Sequence, residues 1–135
     1  MYQTEVQIRV RYGETDQMGY VYYGNYASYY EVARVESFRQ LGLSYKKLEK
    51  SGVMMPVLEL KTKYLLPAKY DDLLTVKVKI PEMPRLKIRY EYDVYNEEGI
   101  LLNQGETTLV FINIDTNRPV RLPSKMSELL TPYFD

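Results

Sequence analysis

The sequence predicts a single α+β domain spanning residues 1–135, on three observations: an opening segment that alternates with period two, a long segment of helical period, and four further alternating segments. A chain of this length buries about two thirds of its unfolded surface, enough to fold on apolar packing without staples.

In the opening segment Val6, Ile8, Val10 and Tyr12 alternate with Gln7, Arg9 and Arg11, the pattern of a half-buried strand. Gly13 to Gly19 is rich in turn formers and reads as a loop. From Asn25 to Leu41 the apolar period is helical, with Asn25 placed to cap the start and Gly42 to stop the end. Tyr26, Tyr29, Tyr30, Ala33, Ser37 and Leu41 share one face of this helix, and Val32, Val35 and Phe38 lie roughly opposite. A helix with two apolar stripes is expected to be covered on both sides, and the small pair Ala33 and Ser37 lets a sheet approach closely. A second, short helix is expected from Ser44 to just before Gly52.

The rest alternates. Leu58, Leu60, Thr62, Tyr64 and Leu66 oppose Glu59, Lys61 and Lys63; Leu74, Val76, Val78 and Ile80 oppose Thr75, Lys77 and Lys79. Leu86, Ile88, Tyr90, Tyr92 and Val94 oppose Lys87, Arg89, Glu91 and Asp93, and a turn at Asn96–Gly99 leads into a last strand from about Ile100 to Ile114. Short connections predict an antiparallel meander with one wet face, curved around the helix. Pro123 and Ser124, followed by Met126, Leu129 and Leu130, mark a short terminal helix. A second helix stripe, or an open sheet edge, predicts self-association.

Composition narrows the chemistry. There is no histidine, cysteine or tryptophan beside 15 tyrosines. Imidazole acid–base catalysis, Ser-His-Asp triads, thiolate nucleophiles and His- or Cys-based metal sites are therefore excluded, so a carboxylate, lysine, tyrosine or hydroxyl must carry any reaction. No metal-spaced acidic cluster, phosphate loop or dinucleotide fingerprint is present in the sequence. Charge balances at 18 basic against 18 acidic residues, which argues against a nucleic-acid or anionic-membrane partner held by the overall field. No apolar run is long enough for a membrane span, and the opening Met1–Val6 lacks the pattern of a secretory signal, so a cytoplasmic location is expected.

The densest candidate site is Glu14-Thr-Asp16-Gln-Met-Gly19, just ahead of Tyr20–Asn25 and the long helix. A carboxylate beside a helix start lies near free backbone N–H groups, a pairing that suits acyl transfer: the N–H groups stabilise an oxyanion while the carboxylate attacks or activates water. From spacing alone, Asp16 capping a turn is the simpler account of the same residues, since aspartate is common in turns for local hydrogen-bonding reasons.

The stretch Val10-Arg-Tyr-Gly-Glu-Thr-Asp16-Gln-Met-Gly19-Tyr-Val-Tyr-Tyr-Gly-Asn25-Tyr26, continued by Tyr30-Glu-Val-Ala-Arg34, resembles the opening of hot-dog-fold acyl-CoA thioesterases of the 4-hydroxybenzoyl-CoA thioesterase and YbgC type. Tyr64-Leu-Leu-Pro-Ala-Lys-Tyr-Asp71-Asp72 resembles the same family's passage from its second to its third strand. The resemblance covers nearly the whole chain and is weakest after about Asp115. It implies a curved antiparallel sheet around one central helix, hydrolysis of acyl-CoA, no cofactor beyond the coenzyme A of the substrate, and a homodimer or homotetramer in which a facing subunit completes the pocket. Asp16 matches the catalytic aspartate, nucleophile or general base. Tyr23 matches a residue whose backbone N–H polarises the thioester carbonyl, and Gly24 follows it. Asn25 and Tyr26 match an Asn-Tyr pair, read here as a helix cap and a core aromatic, with Asn25 bordering the substrate. Glu31 and Arg34 match a helical Glu and Arg expected to form ion pairs. Arg85 and Lys87 lie on a segment resembling the nucleotide-contacting strand, and Lys61 and Lys63 share a wet strand face; these four are the coenzyme A candidates, although exposed lysines commonly serve only solubility. Many members of the YbgC branch have histidine where this chain has Val21-Tyr22-Tyr23, and hot-dog dehydratases also use one, so hydration chemistry is excluded. Acyl carrier protein as the carrier, and a non-catalytic acyl-CoA sensor, are the alternatives.

Overall fold

A computed structural model describes residues 1–134. Seven strands form two sheets: β1 (Tyr2–Arg9), β2 (Val53–Met54), β3 (Val57–Tyr64), β4 (Leu73–Ile80), β5 (Lys87–Tyr95), β6 (Leu101–Val110) and β7 (Ile112–Asn113). The helices are α1 (Tyr26–Leu41), α2 (Tyr45–Lys50) and α3 (Ser124–Leu130). The main sheet is antiparallel with order β1-β4-β5-β6-β3, and β2 pairs with β7 in a small second sheet.

Alternation decides what each strand buries. Leu74, Val76, Val78 and Ile80 of β4, with Ile88, Tyr90, Tyr92 and Val94 of β5, are buried on the face toward α1. The opposite face carries an ionic mesh in which Arg89 pairs with Glu82, Glu91 and Glu106. Tyr30 on α1 stacks on Tyr92 at 4.3 Å and hydrogen-bonds Thr62 and Asn103, locking helix to sheet. Gly42, at φ 99°, adopts the left-handed conformation that ends α1, as its position in the sequence requires.

Four expectations are corrected. Only β4, β5 and β6 form a meander; β3 crosses to the far edge, beside β6, so the segment between β3 and β4 runs beneath the start of α1. The opening strand ends at Arg9, because Val10 turns to pair with Asp71 and Asp72. The last strand breaks at the buried Phe111, after which β7 joins β2. The second stripe of α1 is covered only in part within one protomer: Phe38 stacks on Tyr45 at 4.8 Å, while Val32 stays exposed.

Candidate active site

Residues 14–22 form a small hairpin held against the start of α1. The Asp16 N–H donates to Tyr20 O at 2.8 Å and the Tyr22 N–H donates to Glu14 O at 2.9 Å. Asp16 Oδ1 accepts from the N–H groups of Met18 at 2.9 Å and Tyr20 at 3.2 Å, closing the turn, and Gly19 supplies the positive φ of 79° it needs. Asp16 does cap this turn, but with one oxygen only. Its Oδ2 accepts no hydrogen bond among the described residues. The half-buried carboxylate borders an open groove of about 750 Å³ with Tyr12, Gln17 and Tyr70.

The hairpin is fastened to the β3–β4 crossover. Val21 N–H donates to Ala68 O at 2.8 Å, and Tyr20 bridges Lys69. The crossover is set in turn by Asp72, whose Oδ2 accepts from Lys69 N–H at 2.9 Å.

Between hairpin and helix, Tyr23–Asn25 forms one 3₁₀ turn. Its third N–H, of Asn25, donates back to Tyr22 O at 2.9 Å, whereas the N–H groups of Tyr23 and Gly24 find no acceptor among the described residues. Both donors lie at the positive end of the 16-residue α1. Asn25 is helical and makes no side-chain cap. Its amide instead donates to Glu14 O at 2.8 Å, tying hairpin to helix.

Glu14 opens the candidate stretch read from the sequence but was given no role there. Its Oε1 accepts from Arg11 N–H at 2.9 Å and Tyr29 hydroxyl at 3.0 Å, and its Oε2 accepts from the Arg11 guanidinium at 2.9 Å. The spacing Arg11-x-x-Glu14 was the available signal; the Tyr29 contact had none.

The sequence pattern of the thioesterase-like superfamily matches residues 10–130. The chain belongs to that superfamily. The putative acyl-CoA thioesterase YneP of Bacillus subtilis is 32% identical over 98% of this chain and 96% of its own length. The acyl-CoA thioester hydrolase YbgC of Escherichia coli O6:H1 is 31% identical over 88% of this chain and 89% of its own. The structure superposes on a DHNA-CoA thioesterase from Staphylococcus aureus with a TM-score of 0.91 at 38% identity, covering 98% of this chain and 89% of the other. The fold is the hot-dog fold, as the resemblance implied.

Within this thioesterase-family chain the four basic candidates do not gather at Asp16. Arg85 lies in a groove of about 690 Å³ beside Arg121 and Leu122, and neither guanidinium forms an ion pair among the described residues. Arg121 was not anticipated. Lys87 opens β5, whereas the hairpin meets the sheet near the far end of that strand, about 26 Å away at roughly 3.3 Å per residue. Lys61 and Lys63 line a shallow cleft on the outer face of β3, where Lys61 pairs with Glu59 at 3.1 Å. Arg34 does not pair with Glu31: it is buried and donates to the Tyr92 hydroxyl at 3.1 Å.

Partial burial alone would raise the Glu14 carboxyl, but the Arg11 N–H, the Arg11 guanidinium and the Tyr29 hydroxyl together hold it below its ordinary value of 4.5. A depressed folded value makes this a stabilising group above pH 4.5, with the contribution lost as pH falls through the folded value. Thermal unfolding of the native chain and of Glu14→Gln should therefore differ most at neutral pH and converge on acidification; a constant gap would show that the ionised form gains nothing from folding.

Proposed function

We propose that this chain hydrolyses acyl-CoA thioesters, water and thioester giving a carboxylic acid and the free thiol, with Asp16 as the reacting carboxylate. The observation that carries the assignment is the unengaged Asp16 Oδ2 in a hairpin fixed to two unspent N–H groups, those of Tyr23 and Gly24. A thioester carbonyl oxygen held by those N–H groups gains stabilisation as it becomes an oxyanion. Oδ2 then either bonds to the carbonyl carbon as the thiolate leaves, with water cleaving the resulting anhydride, or takes a proton from a water that attacks directly. Label from ¹⁸O water appearing on Asp16 after a single turnover would mark it as the nucleophile.

A second copy of the chain is part of this reading. One edge of β3 is unpaired among the described residues, and on its helix-facing side Leu58, Leu60 and Tyr64 are 59%, 41% and 52% exposed. Antiparallel pairing of two β3 strands about a two-fold axis sets the Asp16 end of one protomer beside the Arg85 end of the other, which supports one copy gripping the coenzyme A phosphates while the other supplies the carboxylate. A monomeric mass by sedimentation equilibrium under assay conditions would remove this part.

The carrier is tested by presenting one acyl group on coenzyme A and on acyl carrier protein and following thiol release. The expected result is a higher kcat/KM for the coenzyme. Preference for the protein carrier would overturn that assignment, and tight binding without turnover would make the chain a sensor.

A further inference from the structure

We propose that Glu14 is a positioning residue for thioester hydrolysis, keeping Asp16 and the Tyr23 and Gly24 N–H groups in fixed mutual register; this rests on the role given to Asp16 above. Its side chain and its carbonyl oxygen work on different parts of the site. The carbonyl accepts the Tyr22 N–H at 2.9 Å and the Asn25 amide at 2.8 Å, the two residues that bracket Tyr23 and Gly24. With both bracketing residues tied to one oxygen, the 3₁₀ turn that carries the two free donors has one orientation relative to the hairpin. The carboxylate, whose side chain is only 17% exposed, fixes that oxygen in place from two directions. Arg11 holds it through its N–H at 2.9 Å and through its guanidinium Nη2 at 2.9 Å and Nε at 3.2 Å, while Tyr29, on the first turn of α1, holds it from the helix at 3.0 Å.

Asp16 is two residues further along the same hairpin arm, which pairs again through the Asp16 N–H and Tyr20 O. Any tilt of the arm at Glu14 therefore moves the carboxylate and the oxyanion donors relative to each other. A displacement of about 1 Å between reacting groups lowers a rate by up to about a hundredfold, with no need for a change in substrate affinity.

The test compares Glu14→Ala, Glu14→Gln, Tyr29→Phe and Asp16→Asn by steady-state kinetics on an acyl-CoA, with circular dichroism to verify folding. Glu14→Ala is expected to lower kcat about 10- to 100-fold with KM within about threefold of the native value. Glu14→Gln keeps an acceptor oxygen for the Arg11 N–H and the Tyr29 hydroxyl, and should return most of the lost kcat. Native kcat in folded Glu14→Ala, a rise in KM alone, or a Glu14→Gln variant as impaired as the alanine would each overturn the proposal. If the alanine variant does not fold, Tyr29→Phe decides: a loss in kcat at constant KM supports the positioning role, and native kcat overturns it. Native turnover in Asp16→Asn would sink the parent reading itself, whereas an Asp16→Asn variant reduced at least about a hundredfold beside an unimpaired Glu14→Ala would sink this proposal alone.

Discussion

Asp16→Asn should lose at least about a hundredfold in kcat while melting within a degree or two of the native protein. A carboxylate acting as general base contributes about 10²- to 10⁴-fold, and one acting as nucleophile no less. The substitution is clean because the two functions of Asp16 fall on different oxygens. Oδ1 closes the turn by accepting from Met18 and Tyr20, and an asparagine oxygen accepts the same two N–H groups. Only Oδ2 becomes an amide, with no charge and no nucleophilic lone pair. Residual turnover from the Tyr23 and Gly24 N–H groups is expected, since oxyanion stabilisation persists without the carboxylate. Paired measurements of thiol release and thermal unfolding check both halves. Native turnover would leave Asp16 as a turn residue and nothing more; collapse of the melting temperature would show that its charge, rather than its shape, holds the loop.

Much of the fold was legible because its strands obey the simplest rule in the sequence. Val76 and Val78 alternate with Lys77, and Tyr90 and Tyr92 with Glu91, so a buried and a wet face follow without further information. Neighbour order was not legible. β3 alternates as cleanly as β4, and no local pattern states that it lies beside β6 rather than beside β4. The site divides along the same line. Asp16 and Gly19 announce a turn through their own conformational preferences, and the free N–H groups follow from any helical start. Glu14 matters because its carbonyl meets Tyr22 and Asn25 and its carboxylate meets Tyr29, contacts made only once the hairpin lies on the helix. Arg34 shows the converse error. Its spacing from Glu31 fits a surface ion pair, but the helix turns that position inward, where the Tyr92 hydroxyl is the available acceptor.

Gly105→Ala is expected to be the most damaging single methyl in the sheet. Gly105 lies on β6 opposite Tyr92 of β5 and Thr62 of β3, and a Cβ built there would stand 2.3 Å from Cζ of Tyr30 and 2.5 Å from its Cε2. Its conformation is an ordinary strand one, so glycine serves here to make room for the ring rather than to permit the backbone. The ring has nowhere to go: Tyr30 is fully buried, stacked on Tyr92, and bonded through its hydroxyl to Thr62 and Asn103. Overpacking at such a point costs about 2–3 kcal/mol, which for a domain of this size lowers Tm by roughly 10 °C. Alanine's better strand propensity offsets only a fraction of that, about 0.5–1 kcal/mol. The cause is isolated by repeating the substitution in a Tyr30→Leu background, where the shorter side chain should reduce the penalty to below about 1 kcal/mol. A native Tm in the single variant, or an equal penalty in both backgrounds, would show that the helix is not held at this distance by the ring. The consequence reaches the site, because Tyr30 is one turn from Tyr26 and sets how closely the start of α1, with its two free N–H groups, lies on the sheet.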